Sequence, residues 1–128
     1  MNNERLTPIG PRRSSDGFTL LEILVVIAIL GILSAIAIQQ YSAYRSRSVD
    51  TQMKSDLKNA ALAMESYFSE FRVYPNSLAK ITSVGFRQTA GVSLMITVVS
   101  PSAYTLTASK PNGSQVSFTY SSTTGQIN

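Results

Sequence analysis

The chain has 128 residues, enough for one domain, with 11 Lys plus Arg against 7 Asp plus Glu and neither cysteine nor histidine. Disulfides, thiolate zinc sites, cysteine nucleophiles and histidine general bases are therefore excluded together. The positive balance is dispersed, with no run of five or six like charges that would mark a nucleic-acid arm.

Residues 1–17 carry Arg5, Arg12 and Arg13, prolines at 8 and 11, and Ser14-Ser15-Asp16-Gly17. This polar stretch lacks helical periodicity and reads as a processing segment. From Phe18 to Ile38 the chain is apolar except for Thr19, Glu22 and Ser34. As a helix it would span about 30 Å, the hydrocarbon thickness of a bilayer. An ordinary secretory signal has a shorter apolar core and a small-residue cleavage site after it, whereas here Gly17 precedes the core. Arg5, Arg12 and Arg13 lie before the span and Arg45 and Arg47 after it, a count that favours a cytoplasmic N-terminus.

Val49, Met53, Leu57, Ala60, Met64, Tyr67 or Phe68, and Phe71 then recur every three or four residues, with polar residues between them. That spacing predicts an amphipathic helix. No proline or glycine falls between Ser34 and Tyr74, so the membrane half and the amphipathic half are expected to run together until Tyr74-Pro75. Asn76 offers an N-cap for a short helix through Leu78–Ile81, ending before Gly85.

Beyond it, Val92–Val99, Tyr104–Ala108 and Gln115–Tyr120 are rich in β-branched and aromatic residues. Asn112-Gly113 suits the positive φ angles of a tight hairpin turn between the last two. The predicted fold is α+β: a long N-terminal helix packed by a small antiparallel sheet of about three strands, with Tyr67, Phe68 and Phe71 in the core beneath it. The expected domains are a leader at 1–17, a transmembrane half at 18–38, an amphipathic half at 39–74 and a head at 75–128.

Asp16-Gly17-Phe18-Thr19-Leu20-Leu21-Glu22, followed by the apolar run, closely resembles the processing site of type IV prepilins, in a type IVa-like form, and of the related pseudopilins. The resemblance implies that a prepilin peptidase cleaves after Gly17 and methylates the new amine of Phe18. It also implies a single-pass inner-membrane protein with its head in the periplasm, which inner-membrane machinery assembles with identical subunits into an extracellular filament. The residue before the glycine is often basic in that family and is Asp16 here.

A carboxylate deep in lipid costs about 2.5–3.5 kcal/mol, but Glu22 lies one turn from the helix start, where the helix dipole favours an anion. In the family the matching glutamate attracts the N-terminal amine of a neighbouring subunit, which pairs Glu22 of one subunit with Phe18 of another. Ala28, Gly31 and Ala35 form a strip of small residues that lets helices approach closely, although ordinary membrane-helix composition produces the same strip. Gly31 weakens the helix locally. Many family members have a proline where this chain has Gln39, so the second helix breaker is missing.

The leading function is a structural pilus subunit, serving adhesion, motility or DNA uptake. The alternatives are a major pseudopilin of type II secretion and, through Tyr41, Tyr44 and the other aromatics, a conductive pilin. Membrane-interface placement of Tyr41 and Tyr44 accounts for that pair without electron transfer. No catalytic residue, cofactor or metal is expected: the carboxylates after cleavage, Glu22, Asp50, Asp56, Glu65 and Glu70, all fall along the helix. Arg72, Lys80, Arg87 and Lys110 are too scattered to form a nucleic-acid site. The cysteine pair near the end of many pilins is absent.

Overall fold

Helix α1, Leu20–Phe71, begins behind a threonine cap. The backbone N–H of Glu22 donates to Thr19 Oγ1 at 3.2 Å, and Thr19-Leu20-Leu21-Glu22 has the Ser/Thr-x-x-Glu pattern of a capping box. The computed structural model describes residues 17–128, so all but Gly17 of the leader expected at 1–17 lies outside the described residues. A boundary between two compact units falls between Ala37 and Ile38. Before that boundary α1 is helical through Gly31, and every side chain from Phe18 to Ala37 is exposed.

In the second unit, Ile38–Asn128, α1 continues through Gln39 and then buries a stripe. Met53, Leu57, Ala60 and Met64 are fully buried and Val49 packs at their margin. The predicted amphipathic face is thus the core face. The helix stops at Phe71, before Tyr74-Pro75, because Arg72 turns left-handed (φ 58) after donating its N–H to Phe68 O at 2.8 Å. Phe71, expected beneath the sheet, is exposed, with its ring 4.4 Å from that of Tyr67.

Helix α2, Leu78–Ser83, follows, and its N-cap is Ser77 with no side-chain capping bond. Asn76, the expected cap, instead accepts a 3.4 Å bond from Lys80 Nζ. Ile81 is the buried residue of α2.

Four antiparallel strands complete the unit: β1 Ser93–Ser100, β2 Ala103–Ser109, β3 Ser117–Ser121 and β4 Gln126–Ile127, in the order β1-β2-β3-β4. The two-residue β4 is too short to carry a periodic signal. Gly125, at φ 67, turns the chain into it, and Asn128 exchanges backbone bonds of 2.8 and 2.9 Å with Thr119. The register aligns Leu94, Ala108 and Phe118 across three strands, and likewise Ile96, Leu106 and Tyr120. With Tyr104, these face Met53, Leu57, Met64, Ile81, Phe86 and Val92 in one core. The opposite face aligns Met95 with Thr107 and Thr119, and Thr97 with Thr105 and Ser121.

The predicted pairing of the last two long strands is present, but not through a tight turn at Asn112-Gly113. Residues 110–116 form a longer loop in which Asn112 is left-handed (φ 69) and Gly113 is not. Gly113 serves close approach: a Cβ there would stand 2.7 Å from Asp50 Oδ1 and 2.9 Å from Gln115 O. Gly113→Ala is therefore expected to lower unfolding stability by about 1–3 kcal/mol, an overpacking cost. Urea denaturation of the detergent-solubilised chain, followed by circular dichroism, measures it. An unchanged midpoint would show that the loop is not held against α1.

Candidate functional site

The apolar start of α1 gathers the residues singled out in the sequence. Gly17 and Phe18 precede the helix in non-helical backbone, and both are exposed. A Cβ on Gly17 would meet nothing within 4 Å among the described residues. Phe18 is 79% exposed. Glu22 occupies the first turn and is exposed, the only charge in a helical segment otherwise apolar to Ile38 except for Ser34.

Ala28, Gly31 and Ala35 follow at i, i+3 and i+7, on one face. Open space lies where a Gly31 Cβ would be. Around them Ile29, Leu30, Ile32, Leu33 and Ile36 are each more than half exposed. A stretch apolar on every side has no face to turn to water, so it requires lipid or other apolar helices. By length and composition it is able to cross a membrane.

Sequence reasoning missed the work of three carboxylates further along α1. Asp50 accepts from the Ser114 backbone N–H at 2.8 Å and from the Ser114 hydroxyl. Asp56, 1% exposed, accepts from Thr89 N–H at 2.9 Å and Thr89 Oγ1 at 2.7 Å. Glu65 accepts from Tyr104 Oη at 3.0 Å and from Tyr74 Oη at 3.2 Å. These bonds fasten the loop before β1, the loop before β3, and strand β2 itself to one helix. The signal available in the sequence was Asp50 and Asp56 sharing the helical face of Met53, Leu57 and Ala60. An acid at a core position requires donors, and the donors come from serine and threonine far along the chain.

The Ser114 hydroxyl bond lowers the Asp50 carboxyl below its ordinary 3.8, ahead of the opposing effect of burial. Burial, reinforced by the Glu65 carboxylate, raises the Tyr74 and Tyr104 phenols above 10, so both remain donors at neutral pH. Rings in the second unit succeed one another from Phe68 to Tyr74 (4.5 Å), Tyr104 (4.7 Å) and Tyr120 (6.2 Å). Among the described residues no such contact joins Tyr41 or Tyr44 to them, and core packing accounts for the set.

Comparison with known proteins fits this arrangement. Residues 12–38 match the prokaryotic N-terminal methylation motif. The chain is 35% identical over 102 residues to the type IV wide pilus major component PilA4 of Thermus thermophilus, covering 79% of this chain and 78% of that protein. It is 42% identical over 66 residues to the type IV major pilin protein PilA of Myxococcus xanthus, with 52% and 29% covered. It is 39% identical over 66 residues to the type II secretion system core protein G of Pseudomonas aeruginosa, with 52% and 46% covered. The last two matches span less than half of those relatives. A match covering 79% of the chain cannot be confined to residues 1–71 and must include part of the sheet-bearing region.

The lowered Asp50 carboxyl fixes a sign. A group whose folded pKa is depressed stabilises the fold above its unfolded value and loses that contribution as pH falls through the folded value. The stability difference between the unmodified chain and Asp50→Asn should therefore hold steady from neutral pH down to about 5 and shrink below 3.8. Urea midpoints of both proteins at several pH values provide the check. A difference that grows on acidification would contradict the assignment.

Proposed function

The chain belongs to the type IV pilin family, and from that premise we propose that it is the structural subunit of a type IV pilus filament, held in the membrane before assembly. The observation that carries this reading is the segment from Phe18 to Ile38: apolar on every face, exposed throughout, and charged only at Glu22, one turn from its start.

Cleavage after Gly17 by a prepilin peptidase frees the amine of Phe18, the position methylated in this family. The exposed, non-helical backbone at Gly17 supports that step, since a peptidase needs an accessible segment outside regular structure. The new ammonium then lies beside the Thr19 cap, and Glu22 of another subunit supplies the opposite charge. In a low-dielectric bundle each charge relieves the burial of the other, and the pair fixes the axial stagger of neighbours. Ala28, Gly31 and Ala35 admit close helix approach. Inner-membrane machinery would draw such subunits from the bilayer, with heads on the periplasmic side, into an extracellular homopolymer.

No enzyme activity enters this reading. Asp50, Asp56 and Glu65 are spent on holding loops and strand to the helix. Similarity to the secretion system core protein G favours a second reading as a pseudopilin. The pilus reading takes precedence because the match to the wide pilus component extends into the head.

Two measurements test the proposal. Mass spectrometry of the mature protein should find Phe18 as an N-methylated first residue. Glu22→Ala should remain inserted and processed yet yield no filaments in electron micrographs of sheared material, because the attraction that registers subunits is gone. Abundant filaments of normal length from that variant would refute the role of Glu22.

A further inference from the structure

The two edges of the head's sheet are built differently. β4 is two residues long, and Asn128 closes the ladder beside it on Thr119. β1 forms the other edge with eight residues containing no charge, proline or glycine. Among the described residues, no backbone hydrogen bond outside the β1–β2 ladder engages them. A free row of N–H and C=O groups is a template for another strand, which proteins ordinarily blunt with lysine, proline, a bulge or short length. Here the sole such device is the bulge at Val99, and Ser93–Val98 keep regular register.

The side chains of β1 add to this. On the outward face β2 and β3 present Thr105, Thr107, Thr119 and Ser121, whereas Met95 on β1 is 67% exposed. Apolar exposure on this face gathers at the free edge. Charge then selects the occupant. Residues 38–128 contain eight bases against four acids, and two of those acids, Asp50 and Asp56, are buried. An acidic partner would be drawn to the bases, none of which lies on β1. Two copies of one cationic head repel over most of their surface and can approach where charge is absent.

We infer that β1 is the surface through which two copies of this chain join, antiparallel about Ile96, extending the sheet from one copy into the other. In that register residues on the same face oppose each other: Leu94 meets Val98 of the second copy, and Met95 meets Thr97. Apolar and threonine pairs of this kind stabilise neighbouring strands. A two-fold contact closes after two copies, so it does not propagate a filament. Resting on the pilus reading, its consequence is lateral: heads of separate filaments pair and the filaments bundle.

The absence of cysteine makes the register testable in the full-length chain. Cells producing Met95→Cys and Thr97→Cys together are compared, after mild oxidation, with cells producing either alone. Opposed Cα atoms in an antiparallel pair stand about 4.5–5.5 Å apart, within disulfide reach, whereas each cysteine's own counterpart sits two residues further along, beyond about 7 Å. The mixed cells should show a disulfide dimer about tenfold above either single variant, the contrast expected from that geometry. No dimer in the mixture, or equal dimer in all three, overturns the inference. In parallel, Met95→Lys/Thr97→Lys should give separate filaments of normal length where the unmodified chain gives bundles, and unchanged bundling also overturns it. Failure of the pilus reading is distinguishable, because the unmodified chain would then form no filaments at all, whatever the cross-link shows.

Discussion

Apolar side chains on a helix must be covered, and α1 meets that requirement from its own chain along only part of its length. Between Asp50 and Met64 a sheet and two loops bury one stripe. Between Phe18 and Ile38 every side chain is exposed. At about 25 cal/mol for each Å² of apolar surface, leaving such a segment in water is unfavourable enough to dictate a bilayer or a bundle of like helices. Membrane insertion and polymerisation are two answers to the same constraint, and a subunit that moves from one to the other exchanges lipid contacts for helix contacts.

That exchange is nearly neutral for the apolar residues, since a lipid tail covers leucine as well as another leucine does. Specificity must come from what lipid cannot supply. In the proposed filament, Glu22 and a cleaved amine at Phe18 would provide a charge pair, and the strip at Ala28, Gly31 and Ala35 would provide shape. The Thr19 cap adds a further detail: it satisfies a first-turn N–H, so Glu22 stands on a well-formed helix end.

How far the fold could be read from the sequence depended on whether its cause was local. The stripe from Val49 to Met64 and the long strands announce themselves by periods of 3.6 and 2, and α1 and β1–β3 lie where those periods place them. The cap at Thr19-Leu20-Leu21-Glu22 is equally local, its pattern overlapping the residues that carry the prepilin resemblance. The errors lie where a distant partner decides. Gly113 reads as a turn glycine until Asp50, across the fold, is seen to occupy the space of its side chain. Phe71 fits the periodic stripe, yet the left-handed Arg72 ends the helix directly after it and the sheet does not reach it. The roles of Asp50 and Asp56 were not legible because Ser114 and Thr89, which satisfy them, are distant in sequence. Of the site residues, Gly17, Phe18 and Glu22 were legible because their spacing is a motif. The action proposed for them between subunits is a relation that a single chain does not contain.

The carboxylate anchors also bear on how a head of this size is held without disulfides. A small domain has limited core to offset its chain entropy, and a cross-link near the C-terminus would ordinarily help. Here the C-terminal end is tied by other means: β4 pairs with β3, Asn128 pairs with Thr119, and Lys54 Nζ sits 4.4 Å over the Phe118 ring. The loop before β3 is tied by Asp50. Each tie reaches back to α1 or to a strand that packs on it, so the helix proposed to assemble the filament also organises the head. A reductant has nothing to cleave in such a design. Protons do, because two of the anchors are buried carboxylates whose donors are hydroxyls and backbone amides and not bases, and a protonated acid holds those donors less tightly. The head should thus tolerate reducing surroundings while remaining sensitive to strong acid, the reverse of a disulfide-closed domain of the same size.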